Sequence, residues 1–198
     1  MSASAPVCPA TSKQSSVPTE SGMPHGETSG RYCVPYNAPM SQATPLTSLT
    51  LDTRLSTGEG AAETFAHFSR ALWSQPYVPA ELIELCRLTF ARLHRDEAEL
   101  AAANPHLAAS DCSPAKRAAV LGGRADRDPA LSAAEQAVLG FAEYFWLDAG
   151  SITDAVANDV KAYLGEAGLV FLIEALGCLD GRIRTARCLR DPGDGHAC

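Results

Sequence analysis

From position 58 onward, apolar residues recur three and four places apart and nowhere alternate with polar ones. That period marks amphipathic helices rather than strands. Phe65, Phe68 and Leu72 predict a first helix over 59–75, closed by Pro76. Pro79 suits the opening turn of a long second helix, in which Leu82, Leu85, Cys86, Phe90, Leu93 and Leu100 keep a 3.6-residue period with some drift until Asn104-Pro105 ends it. Pro105, Ser113-Pro114, Gly122-Gly123 and Asp128-Pro129 break the next stretch, which has room for one short helix over 115–121. Ser132-Ala-Ala-Glu135 is a capping-box signature and predicts a helix to about 148. Ser151-Ile-Thr-Asp154 signals another start, with a stop at Gly165. The last helix, 166–189, carries Leu169, Leu172, Ile173, Leu176, Leu179 and Ile183 on one side. Its final turns hold Arg182, Arg184, Arg187 and Arg190, where positive charge suits the negative end of the helix dipole. Six helices and no sheet make an all-α body.

Composition divides the chain around that body. Seven of the thirteen prolines lie in the first 45 residues, amid Ser, Thr and Gly. Residues 1–57 therefore read as a disordered or draped arm, with Tyr32, Val34, Tyr36 and Met40 as candidate anchors on the body or on a neighbouring subunit. Residues 58–190 form the helical domain, and 191–198 a loose tail whose His196 and Cys198 are too few to fill a metal site alone. Sixteen Lys+Arg against 23 Asp+Glu give a net charge of −7, which argues against nucleic acid and anionic membranes as partners. Neither an uninterrupted apolar run of spanning length nor a secretory signal is evident, so the expectation is a soluble, cytoplasmic protein. The seven cysteines form no C-x-x-C pair and read as free thiols.

The second helix is also where a family pattern emerges. Glu84-Leu-Cys-Arg-Leu-Thr-Phe-Ala91 resembles the "R-E-[LV]-x-x-L-x-[VI]-A" helix of the carboxymuconolactone decarboxylase and AhpD-like alkylhydroperoxidase superfamily. Phe68 to Trp73 followed by Val78-Pro79 is similar to the segment preceding that motif in the family. Leu131 to Glu143 is similar to its "L-[ST]-x-x-E-x-A-[LV]-L-x-[FY]-A-[DE]" helix, and Ile152-Thr-Asp and Leu169 to Ala186 to its last two segments. The resemblance covers about 65–189. It implies a compact all-helical subunit assembling into trimers or hexamers, with a pocket near the central helices that takes a small-molecule substrate.

The departures from that pattern direct the functional expectation. In the peroxidase branch a C-x-x-C pair and a histidine follow the glutamate at the Glu84 position; counted along this chain, those places hold Asp96, Glu99 and Ala103. A carboxylate can neither attack a peroxide nor resolve the product, so the thiol route is absent. Cys86 reads as a small buried hydrophobe. The resemblance then implies redox-neutral acid–base chemistry on a small organic acid, lactone or polyketide-like molecule: decarboxylation, lactone opening, isomerisation or cyclisation. Glu84 is the candidate proton carrier, with Asp96, Glu99, His106 and His67 shaping the site and no cofactor or metal required. On one continuous helix Glu84 lies about 120 degrees from Asp96, and His94 nearly opposite Asp96 unless the helix ends or bends there. His94 or His106 with Asp96 and Glu99 would offer N and O ligands, but without metal-type spacing. Two plainer readings stand beside these: Asp96 and Glu99 as the solvated end of a charged helix, and Glu84 in a buried ion pair. The alternative function is a non-catalytic oligomeric binding or interaction protein of the same fold. Trp73, Trp146, Tyr144 and Phe145 read as core or interface anchors.

Overall fold

The computed structural model describes residues 44–55 and 59–190, all within one unit, Gln42–Cys198. Their helices are α1 (Asp52–Leu55), α2 (Glu59–Ala71), α3 (Ala80–Leu93), α4 (Glu97–Ala101), α5 (Pro114–Leu121), α6 (Ala133–Asp148) and α7 (Asp154–Leu189), with no strand among the described residues. The all-α expectation holds. Helix α3 is the hub: every residue from Leu82 to Ala91 is buried, and α4, α5, α6 and α7 all pack on it. A helix covered on every side must satisfy its polar side chains within the protein. Thr89 does so by donating to the Leu85 carbonyl at 2.9 Å, and Glu84 and Arg87 do so in the site described below.

Several boundaries follow the chain's own signals. Ser132 Oγ accepts from the Glu135 amide at 3.2 Å and Glu135 Oε2 accepts from the Ser132 amide at 2.9 Å, completing the capping box. Thr153 caps α7. The two helices expected on either side of Gly165 are both present within α7, and Gly165 itself is non-helical at φ 74°, ψ 176°. That left-handed φ is open to glycine at little steric cost.

Two expectations are corrected. The long helix over 79–103 is two helices, because α3 stops at Leu93 and α4 starts at Glu97. Between them Arg95 takes φ 54°, its amide donates to Arg92 O and that of Asp96 to Ala91 O. This is a Schellman ending with arginine in the left-handed place usually held by glycine. The arm's last part belongs to the body, since Thr47, Ser48 and Leu51 are buried. Tyr32, Val34, Tyr36 and Met40, like His196 and Cys198, lie outside the described residues.

Helix α7 also qualifies the membrane argument. It is long and apolar enough to cross a membrane by length and composition, with a mean hydropathy of 1.6 over an 18-residue window of which 28% is buried. Leu172, Ala175, Leu176, Leu179 and Ile183 account for its inward face. Its outer face leaves Val170 and Ile173 54% and 41% exposed.

Candidate functional site

The helix break after Leu93 turns α4 back so that Glu99 meets Arg87, one helical turn along α3 from Glu84. Arg87 is fully buried. Its Nε and Nη2 donate to the two oxygens of Glu84 at 2.8 and 2.7 Å, and its Nη1 donates to Glu99 Oε1 at 2.6 Å and to the Glu99 carbonyl at 2.9 Å. A planar fork suits this, because two carboxylates can be bridged without rotating the guanidinium. The guanidinium's pKa lies above its ordinary value: burial pulls it down, and the hydrogen bonds and charge of Glu84 and Glu99 outweigh that pull.

The remaining lone pairs are taken as well. Glu84 Oε2 also accepts from Asn104 Nδ2 at 2.7 Å, and Arg117 Nη1 stands 3.6 Å from Oε1. Glu99 Oε2 accepts from the Ser48 amide at 2.7 Å, and Oε1 accepts from the Ser48 hydroxyl. Asp96 caps α4 by accepting from the Glu99 amide at 3.0 Å, and both its oxygens accept from Arg190 Nη1 at 2.7 and 2.8 Å. Arg190 Nε donates to Leu46 O at 2.6 Å. Arg182 donates from Nε and Nη2 to Ser48 O at 2.9 and 2.6 Å and from Nη1 to Asp52 at 2.8 Å. Thus the arginines of the last turns, expected to answer the helix dipole, also bolt segment 46–52 to the body.

Of the candidate residues, the structure joins Glu84 and Glu99 through Arg87 and places Asp96 one partner away. All three are buried, so Asp96 and Glu99 are not a solvated helix end. His106 lies at the rim of this cluster: its amide donates to Asn104 Oδ1 at 2.9 Å, while its ring stacks on Trp73 with centroids 5.5 Å apart. Partial desolvation holds the imidazole pKa below its usual value; Asp52 opposes the shift, and Arg182 and Arg70 add to it. His67 is exposed on α2, whereas Glu84 is buried. His94 points elsewhere, with Nε2 2.6 Å from Asp180 Oδ1 and 3.1 Å from Trp146 Nε1. One nitrogen cannot both donate to the carboxylate and accept from the indole, so the proton's position selects the partner. Among the described residues no three His, Cys, Asp or Glu side chains gather as metal ligands would. Cys86 is buried, and burial pushes its thiol up to about 12.

The sequence reading did not single out Arg87, Ser48 or Arg117, and it took Asn104 only as a helix stop and Arg182 and Arg190 only as partners of the helix dipole. Glu84 and Arg87 do stand at i,i+3 inside an apolar run, which is the visible signal for a buried pair. Ser48 carries no such mark.

A cavity of about 280 Å³ lies apart from these charges, open to solvent between α6 and α7 and lined by Phe141, Phe145, Ala149, Ile152, Ala157, Leu169 and Ile173. No ionisable side chain lines it. No protein-family model matches the chain, and no curated protein or solved structure is significantly similar to it.

Proposed function

We propose that this chain is a non-catalytic, oligomeric interaction protein built on an AhpD-like helical subunit. One observation carries the reading: Glu84 and Glu99 are saturated around Arg87 and buried, while the cavity between α6 and α7 holds no group able to move a proton. A general acid or base must reach its substrate within hydrogen-bonding distance. The carboxylates at the positions of the superfamily's reactive residues instead neutralise a guanidinium and anchor segment 46–52, which is a structural use of the same place in the fold.

The acid–base reading keeps one specific support. Asn104 links Glu84 to the His106 backbone, and Arg117, partly exposed, stands beside the same carboxylate. That rim is where a small organic acid would be held in a lyase or isomerase.

Native mass spectrometry of the full-length protein, taken directly from its expressing cells, separates the two. A ligand-free oligomer, with the same assembly in Glu84→Gln, is expected for the interaction protein. One small organic acid per subunit, lost in Glu84→Gln, overturns it in favour of the enzyme.

A further inference from the structure

We infer that the outer face of α7 is a self-complementary docking surface for a second copy of this chain, packed antiparallel about a twofold axis beside Gly177 and Gly181. This names the partner in the interaction reading above and rests on that reading.

The face is continuous. Val170, Ile173, Glu174, Gly177, Arg184 and Cys188 are exposed, and at 3.6 residues per turn they fall with Gly181 on one stripe of the helix. Val170 and Ile173 leave apolar surface in water. A side chain at Gly177 or Gly181 would meet nothing within 4 Å, so the backbone is bare where another helix would cross. Small residues permit that close approach but do not choose a partner; the charges do.

Glu174 and Arg184 flank the glycines symmetrically, five positions from residue 179 on either side. In an antiparallel pair centred there, Glu174 of each chain faces the partner's Arg184 and Gly177 faces the partner's Gly181. An isologous contact requires that reciprocity. A parallel pairing would set Glu174 against the partner's Glu174 and repel. Glu174 has no ion-pair partner among the described residues, while Arg184 Nε reaches only Asp180 on its own helix, at 2.6 Å. The pairing therefore supplies a free carboxylate with its counter-charge. It also favours a second copy over a lipid bilayer as the cover of this apolar helix, since Glu174 and Arg184 would be costly in hydrocarbon and are matched in the dimer.

The test is sedimentation equilibrium of the full-length protein and its variants across concentration, with flotation on phosphatidylcholine–phosphatidylglycerol vesicles alongside. Gly177→Leu, which has open space in the subunit, is expected to halve the assembly's mass without lowering the melting temperature. Glu174→Arg and Arg184→Glu should each weaken association about tenfold, roughly 1.4 kcal/mol, and the double variant Glu174→Arg/Arg184→Glu should restore it. An oligomer unaffected by Gly177→Leu, or a double variant no tighter than the singles, overturns the α7 surface and leaves the oligomeric reading standing. A monomer at every concentration overturns both. Flotation with vesicles that Gly177→Leu leaves unchanged overturns the second copy in favour of the membrane.

Discussion

The inner end of the molecule, around Arg87, and its outer flank, along α7 and the α6–α7 cavity, handle polarity in opposite ways. Around Arg87 the protein buries charge that composition alone would place in water, and it gives every carboxylate oxygen a donor. Along α7 it exposes apolar side chains that composition would place inside. Buried charges cost free energy unless fully matched, and exposed apolar surface is a standing opportunity for contact. The first region is therefore complete within the chain, and the second leaves apolar surface open to contact. Any chemistry is to be sought where valences remain open.

The sharpest way to break this comparison is to remove the hub of the charged region. Arg87→Met strands two buried carboxylates and should lower unfolding free energy by about 3–5 kcal/mol in urea titration. The triple change Glu84→Gln/Arg87→Met/Glu99→Gln should recover part of that loss. A single Arg87→Met variant of unchanged stability would mean that the site is wet and open. The outer flank is tested by pairing two residues of α7. Leu176→Ala, fully buried, should cost about 2–5 kcal/mol, whereas Ile173→Ala, at the cavity mouth, should cost well under half as much. Equal losses would show that the cavity side is covered within the subunit. Ser48→Ala removes one hydroxyl from Glu99 and should cost about 1 kcal/mol, with faster proteolysis inside 44–55 as the local readout.

Smaller effects follow from titration and thiol reactivity. The His106 imidazole is held below its ordinary pKa of about 6.5. A depressed histidine pKa means that the unfolded chain binds the proton more readily, so this contribution is present above about pH 6.5 and fades as pH falls through that value. Trp73→Ala should raise the imidazole's titration midpoint, followed by NMR, towards the ordinary value. In native protein Cys86, buried and with its thiol pushed up to about 12, should stay unmodified by a thiol reagent until unfolding.

How much of this was legible beforehand is clearest at two helix ends built alike. After α5, Gly123 takes φ 64°, its amide donates to Val120 O and that of Arg124 to Ala119 O. Arg95 does the same after α3 with φ 54°. Gly122-Gly123 announces its stop; arginine in a left-handed conformation announces nothing, and the expected helix ran on for ten residues past the true end. That one turn decides the site, because it carries Asp96 and Glu99 off the α3 axis and onto Arg87 and Arg190. Periodicity and caps located α5, α6 and both parts of α7, since those signals are local. The pairing of Ser48 with Glu99 and of Leu46 with Arg190 depends on contacts across most of the chain, to which local pattern is blind. Glu84 was legible as a charge amid apolar neighbours with Arg87 at i,i+3, but the bridge from Arg87 on to Glu99 came only with three-dimensional placement.

The bolting of segment 46–52 has a consequence for biosynthesis. Its partners Arg182 and Arg190 lie 134 and 144 positions downstream, so on the ribosome this stretch must wait for the closing turns of α7. At about 5–20 residues per second the delay is roughly 7–29 s. Docking of the segment therefore waits until α7 has been made, and until it occurs Glu99 lacks its serine donors and the nascent chain is exposed to chaperones and proteases at that corner.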